Sequence, residues 1–208
     1  MTKRTGSSRR WLKRQERDPY VERAVREGWR SRSAFKLIEI DERERILKRG
    51  AIVADLGAAP GGWSQVAARR VGEEGRVYAI DRLPMDPIPG VECIEGDFFT
   101  ADAVEKLRGL IGTQAVDLVL CDLAPNISGN RAIDQPRSLA LVEAAMEFAG
   151  QVLKPGGAFL AKVFQGEGQR DLEKELRLRY GKLKVIKPKA SRAESREIYL
   201  LASDYRMV

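Results

Sequence analysis

The sequence predicts a doubly wound α/β protein: a seven-stranded, mostly parallel sheet with a terminal antiparallel hairpin. Three observations predict it. Five short apolar runs alternate with helical segments between residues 51 and 180, the pattern of βαβ units in a parallel sheet covered on both faces. Four of those runs close on an aspartate. Two further apolar runs near the end follow one another with no length for a crossover helix, so they pair antiparallel.

The elements follow in order. MTKRTGSSRR (1–10) is Ser/Arg-rich and predicts disorder in the free chain. Asp18 to Gly28 reads as a short polar helix. A second helix starts near Ser31 or Ser33, both good N-caps, and runs through AFKLIEIDERERIL to Gly50. The apolar runs are AIVADLG (51–57), GRVYAID (75–81), VECIEGD (91–97), AVDLVLCD (115–122) and GAFLAKVF (157–164). Helical stretches at 62–71, 101–111, 134–153 and 168–180 separate or follow them. KLKVIKP (182–188) and SREIYLLAS (195–203) make the hairpin. The chain divides into a basic N-terminal extension, 1–30, and a single domain, 31–208.

Composition excludes several chemistries. The 208 residues contain no histidine, which removes Ser-His and Cys-His nucleophiles and histidine-ligated metals; no metal is expected. An enzyme on this chain must take its base from Lys, Asp, Glu, Tyr or Cys. Cys93 and Cys121 form no CxxC pair, and a reducing cytoplasm is the expected compartment. No apolar stretch reaches the length of a membrane span, and none follows the basic N-terminus as in a secretory signal. With no heptad pattern or repeat asking for a partner, a monomer is expected.

The net charge of +7 is uneven. Residues 1–36 carry 12 Lys/Arg against 4 Asp/Glu, residues 182–208 carry 7 against 3, and the stretch between is acidic. Basic ends around an acidic body suit a polyanion, although a basic leader can also serve solubility alone. Trp11, Tyr20 and Trp29 interleave with the cations, which suits stacking on unpaired bases.

The strand ends carry the ligand argument. In open parallel sheets, ligands bind outside the carboxyl ends of the strands, where Asp55, Asp81, Asp97 and Asp122 would gather. The turn Asp55-Leu-Gly-Ala-Ala-Pro-Gly-Gly-Trp-Ser64 has glycines at 57, 61 and 62 and opens a helix. That spacing is not GxGxxG, so a dinucleotide pyrophosphate fits poorly. Asp81 is placed to grip ribose hydroxyls and Asp97 to accept from an adenine amino group. Together they describe an adenosine ligand with a small charged head, which S-adenosyl-L-methionine satisfies better than NAD.

Three charged residues stand in apolar company. Lys36 interrupts AFKLIEI, Lys162 interrupts FLAKVF, and Glu197 opens EIYLLA. Lysine is rarely buried without a partner, and the strand of Lys162 should be central. Lys36 on a solvent-facing helix position and Glu197 on an edge strand remain open readings.

SRSAFKL, DLGAAPGGWSQ, DLAPNISG, VEAAMEFAGQVLKPGG, KVFQGEG and SRAESREIYL resemble the FtsJ/RrmJ family of RNA ribose methyltransferases, in order, from about Arg10 to the last strand. KVFQGEG and the SRxxSRE segment are not generic methyltransferase motifs, so the resemblance is specific. It implies a Rossmann-like, S-adenosylmethionine-dependent methyltransferase fold. It implies methylation of a ribose 2′-hydroxyl, a uridine of 23S rRNA in the large ribosomal subunit, with S-adenosyl-L-methionine as cofactor. It implies a Lys-Asp-Lys-Glu tetrad that falls on Lys36, Asp122, Lys162 and Glu197. It also implies cofactor contacts at Gly57, Gly61, Trp63, Asp81, Asp97 and Asp122. With histidine absent, Lys162 is the candidate proton acceptor of the tetrad. The basic extension is expected to serve RNA, and its removal at residue 30 to leave cofactor affinity intact.

Overall fold

The structure is a computed structural model that describes residues 18–124 and 130–207. The expectation for residues 1–10 and the aromatic Trp11 lie outside the described residues. In chain order the elements are α1 (Pro19–Glu27), α2 (Ala34–Glu44), β1 (Ile52–Leu56), α3 (Gly62–Val71), β2 (Arg76–Asp81), β3 (Val91–Glu95) and α4 (Ala101–Ile111). There follow β4 (Val116–Cys121), α5 (Arg131–Val152), β5 (Leu153–Phe164), α6 (Gln169–Arg179), β6 (Tyr180–Ile186) and β7 (Glu197–Tyr205).

The seven strands form one sheet in the order β3-β2-β1-β4-β5-β7-β6. β1 pairs parallel with β2 and β4, β2 with β3, and β4 with β5. β7 inserts between β5 and β6 and runs antiparallel to both. The expected hairpin is there, but its second strand lies inward and β6 becomes the edge. Reversal of β7 brings its first residue, Glu197, opposite Phe164 at the end of β5.

Alternation along the central strands explains why they read as continuous apolar runs. Ala54 and Leu56 face a layer made by α4, α5 and α6, with Leu107, Phe148 and Leu176 among its buried members. Val53, Leu118, Leu120 and Leu160 face the other layer, where Leu37 and Ile40 of α2 and Trp63 and Val66 of α3 are buried. With both faces covered, period-two polarity disappears.

The N-terminal helices depart from the expected boundaries. Asp18 caps α1 by accepting from the Tyr20 amide at 3.1 Å, Pro19 occupies the first turn, and Gly28 ends it at φ 72°. α2 stops at Glu44, short of the expected Gly50, because Arg45 turns left-handed at φ 51°. The cause is Asp41: its buried carboxylate accepts the Leu47 amide at 2.8 Å, giving the backbone an alternative to another helical turn. At the other end, α5 begins three residues before the expected 134, with Asn130 accepting from the Ala132 amide.

Residues 18–30, assigned by sequence to the basic extension, pack on the body. Ala24 joins Phe35 and Ala190 in a small apolar cluster. Arg192 donates to Asp18 through both Nε and Nη2, at 3.1 and 3.0 Å. Tyr20 lies 5.5 Å from the Phe35 ring, and Trp29 lies under the Arg69 guanidinium at 4.2 Å. Among the described residues no helix is long and apolar enough to cross a membrane.

Candidate active site

The parallel strands carry the predicted residues to one rim. Gly57 follows β1, Asp81 ends β2, Asp97 follows β3, Asp122 follows β4, and Lys162 lies near the end of β5. Antiparallel β7 starts at that same rim with Glu197. The strand order reverses between β1 and β4, the place where open α/β sheets hold ligands. There the Asp122 amide donates to the Leu56 carbonyl at 3.2 Å.

A cavity of about 670 Å³ opens at this point, and Gly57, Asp81, Asp97 and Asp122 are among its lining residues. Its size is that of a small-molecule site. Asp81 accepts the Ala59 amide at 3.0 Å through one oxygen and the Leu83 amide at 2.9 Å through the other. Asp97 accepts from Phe99 N at 3.0 Å. Each carboxylate keeps lone pairs for ligand hydroxyl or amino donors. Leu83 and Phe99 line the same cavity while 65% and 55% exposed, so apolar surface faces a polar floor. Nothing in the sequence marked these two. These carboxylate acceptors and the cavity's size fit an adenosine-bearing cofactor.

Glycine is favoured at 57 and 61 by the backbone, and a side chain there would also press on its neighbours. At Gly57, with φ +82°, an added Cβ would stand 2.7 Å from Leu123 Cδ2, in the segment leaving β4. At Gly61, with φ +104°, it would meet Ile88 and Met85 at 2.8 Å. Gly61 and Trp63 are not among the cavity's lining residues. Trp63 is 2% exposed, its indole N–H donates to the Ser33 carbonyl at 3.0 Å, and its ring lies 5.7 Å from that of Tyr199. Its side chain is therefore core.

Beside the cavity the four tetrad residues gather as two pairs, Lys36 with Glu197 and Lys162 with Asp122, with Tyr199 between the two acids. Lys36 pairs with Glu197, so Lys36 faces inward instead of solvent. Tyr199 donates to Glu197 Oε1 at 2.6 Å and stands 3.4 Å from Asp122 Oδ1. Lys162 Nζ donates to the Asp122 carbonyl at 2.7 Å and lies 2.9 Å from its Oδ1. Asp122 thus belongs to both the cavity and the tetrad. Sequence reading missed Tyr199, which passes as an apolar strand residue.

Electrostatics match this arrangement. Burial lowers the pKa of Lys162, but Asp122 and Glu197 outweigh it and raise the pKa above its usual value. Burial raises the Glu197 carboxyl, yet Lys36 and Lys162 bring it below the usual range. Burial, then Asp122 and Glu197, push the Tyr199 phenol far up. Cys121, fully buried, is pushed up to about 12 and is no nucleophile. Asp55 does not reach the cavity surface. It is wholly buried, accepts from Ser64 Oγ at 2.6 Å and leaves its other oxygen without a partner. Burial first, then Asp122 and Asp81, raise it to about 7.

A seven-stranded sheet with an antiparallel β7 next to β5, holding a glycine turn and acidic strand ends on one rim, defines a Rossmann-like methyltransferase. A family model for FtsJ-like methyltransferases matches residues 29–205. The chain belongs to that family. Ribosomal RNA large subunit methyltransferase E of Xanthobacter autotrophicus is 54% identical over 206 residues, covering 98% of this chain and 81% of its own. The protein of the same name from Alkalilimnicola ehrlichii is 52% identical, covering 98% and 97%. A solved Plasmodium falciparum ribosomal RNA methyltransferase superposes with TM-score 0.77 at 31% identity, over 85% of this chain and 98% of that one.

Proposed function

We propose that the chain methylates the 2′-hydroxyl of a uridine ribose in 23S rRNA of the large ribosomal subunit, using S-adenosyl-L-methionine. It does so as a cytoplasmic monomer. The observation that carries this reading is the gathering of Lys36, Glu197, Tyr199, Asp122 and Lys162 in one cluster, which meets the cavity at Asp122. The names of the relatives supply the substrate class.

When bound, the cofactor supplies an activated methyl group. The protein must place the hydroxyl and remove its proton. Asp81 holds ribose hydroxyls of the cofactor and Asp97 its adenine amino group. Gly57, Gly61 and the Trp63 backbone shape the head-group end. Lys162 Nζ accepts the proton of the target hydroxyl. It must first be neutral, and Asp122 and Glu197 oppose that, so the reactive fraction grows with pH. Lys36 and Glu197 position the ribose. RNA lies across the basic N-terminal segment and the β6–β7 hairpin, the two basic ends of the chain.

Mass-spectrometric mapping of ribose methylation tests the assignment. Large subunits, naked 23S rRNA and tRNA would be incubated with the wild-type chain and with Lys162→Met. A single new 2′-O-methyluridine in large-subunit rRNA, absent with Lys162→Met, is expected. Methylation of tRNA alone would overturn the substrate assignment.

A further inference from the structure

Arg30 stands in the turn between α1 and α2, inside a strongly basic stretch of sequence, where the ordinary expectation is a phosphate contact. Its guanidinium is already engaged. Nη1 donates to the Asp86 carbonyl at 2.6 Å and the Pro60 carbonyl at 3.4 Å, and Nη2 donates to the Pro87 carbonyl at 2.8 Å. Pro60 belongs to the glycine turn after β1; Asp86 and Pro87 belong to the loop after β2. The Arg30 amide donates to Gln65 Oε1 at 3.0 Å, and Gln65 Nε2 donates back to the Gly28 carbonyl at 2.8 Å. The Arg30 Cδ would lie 3.1 Å from a Cβ built on Gly61, so its stem rests on the glycine turn.

The two loops that Arg30 joins are joined a second time at the cavity. Asp81 accepts one amide from each, Ala59 and Leu83. Asp81 therefore ties the loops at the cavity, and the Arg30 fork ties them again through their carbonyls. A planar fork can reach carbonyls on two segments at once, which a lysine ammonium does with poorer geometry.

We propose that Arg30 is a positioning residue of the cofactor cleft: it clamps the glycine turn to the loop after β2 and so sets cofactor affinity. The proposal rests on the reading that the cleft holds S-adenosylmethionine. Pre-organising a site by such supporting contacts removes an ordering cost from binding. The clamp also makes the N-terminal helices part of the cofactor site.

The test uses the full chain with S-adenosylhomocysteine as probe, since it binds without turnover. Calorimetry on Arg30→Ala and Arg30→Lys should give dissociation constants weaker by about tenfold or more, the loss expected for charge-assisted hydrogen bonds. The melting temperature without ligand should move little, while the ligand-induced rise in melting temperature shrinks. Binding of a 23S rRNA hairpin by Arg30→Ala should keep the wild-type salt slope, whereas loss of a phosphate contact with the charge would lower that slope by about 0.9. Wild-type probe affinity in either variant overturns the clamp, as does an affinity loss matched by collapse of the unliganded fold. If the wild-type chain itself fails to bind the probe, or Asp81→Ala binds it normally, the cofactor reading fails instead.

Discussion

The hydroxyl of Tyr199 donates to Glu197 at 2.6 Å while lying 3.4 Å from Asp122, so one phenol bridges the two acids of the tetrad. It has a single proton to give. Glu197 therefore has Lys36 and Tyr199 as partners, and Asp122 is left chiefly to Lys162. Tyr199→Phe keeps the ring against Trp63 and removes only the hydroxyl. Both carboxylates then pull harder on Lys162, and turnover at neutral pH should fall about tenfold without change in S-adenosylhomocysteine affinity. Steady-state kinetics beside calorimetry check this.

Lys162 carries the sharpest kinetic prediction. Acidic neighbours outweigh burial and raise its pKa, so the neutral, proton-accepting fraction increases with pH throughout the neutral range. The logarithm of kcat should climb with unit slope from pH 6 to 9. A plateau below pH 8 would remove Lys162 as the base. Lys162→Met and Lys162→Arg should both abolish turnover and retain cofactor-product binding, arginine being effectively never deprotonated.

Asp55 predicts how stability depends on pH. Its carboxyl ordinarily titrates near 3.8 and in the fold near 7. Between these values the folded chain binds more protons than the unfolded one, so this group's stabilisation declines as pH rises through the window. The difference corresponds to about 4 kcal/mol at 1.36 kcal/mol per unit. Asp55→Asn keeps an acceptor for Ser64 and removes the titration. Its advantage over wild type in urea unfolding should grow from pH 4 to pH 8; a constant difference would refute the assignment.

Truncations separate the two roles of the N-terminal segment. Residues 1–17 hold seven Lys/Arg and one Glu, and their deletion should weaken RNA binding and flatten its salt dependence while sparing S-adenosylhomocysteine. Deletion of residues 1–30 also removes α1 and Arg30, and should weaken both ligands. The sequence alone led to the opposite expectation for the cofactor, because it placed the boundary at residue 30. Fluorescence anisotropy with labelled RNA, paired with calorimetry, distinguishes the outcomes.

The rim was legible because aspartates close β2 and follow β3 and β4, each at a break in apolarity that one sequence displays. Lys162 was legible for a related reason: an ammonium in an apolar strand needs a partner. What escaped depended on tertiary pairing. Nothing local marks β7 as the neighbour of β5, and that insertion is what makes Tyr199 a bridge. The end of α2 was misjudged because Asp41 uses its side chain on Leu47. Trp63, expected as a cofactor contact, commits its indole N–H to Ser33, which leaves its backbone for that contact. The segment at 125–129, within the DLAPNISG motif, lies outside the described residues.

The late arrival of β7 has a consequence for a chain cut short. A translation product ending before Glu197 would keep every residue that lines the cavity, the last of them Leu141. It would lack Glu197 and Tyr199, and β5 would present an unpaired edge along seven residues from Ala158 to Phe164, an invitation to aggregation. Premature termination in this gene should thus yield an insoluble fragment with no methylating ability instead of a weakened enzyme.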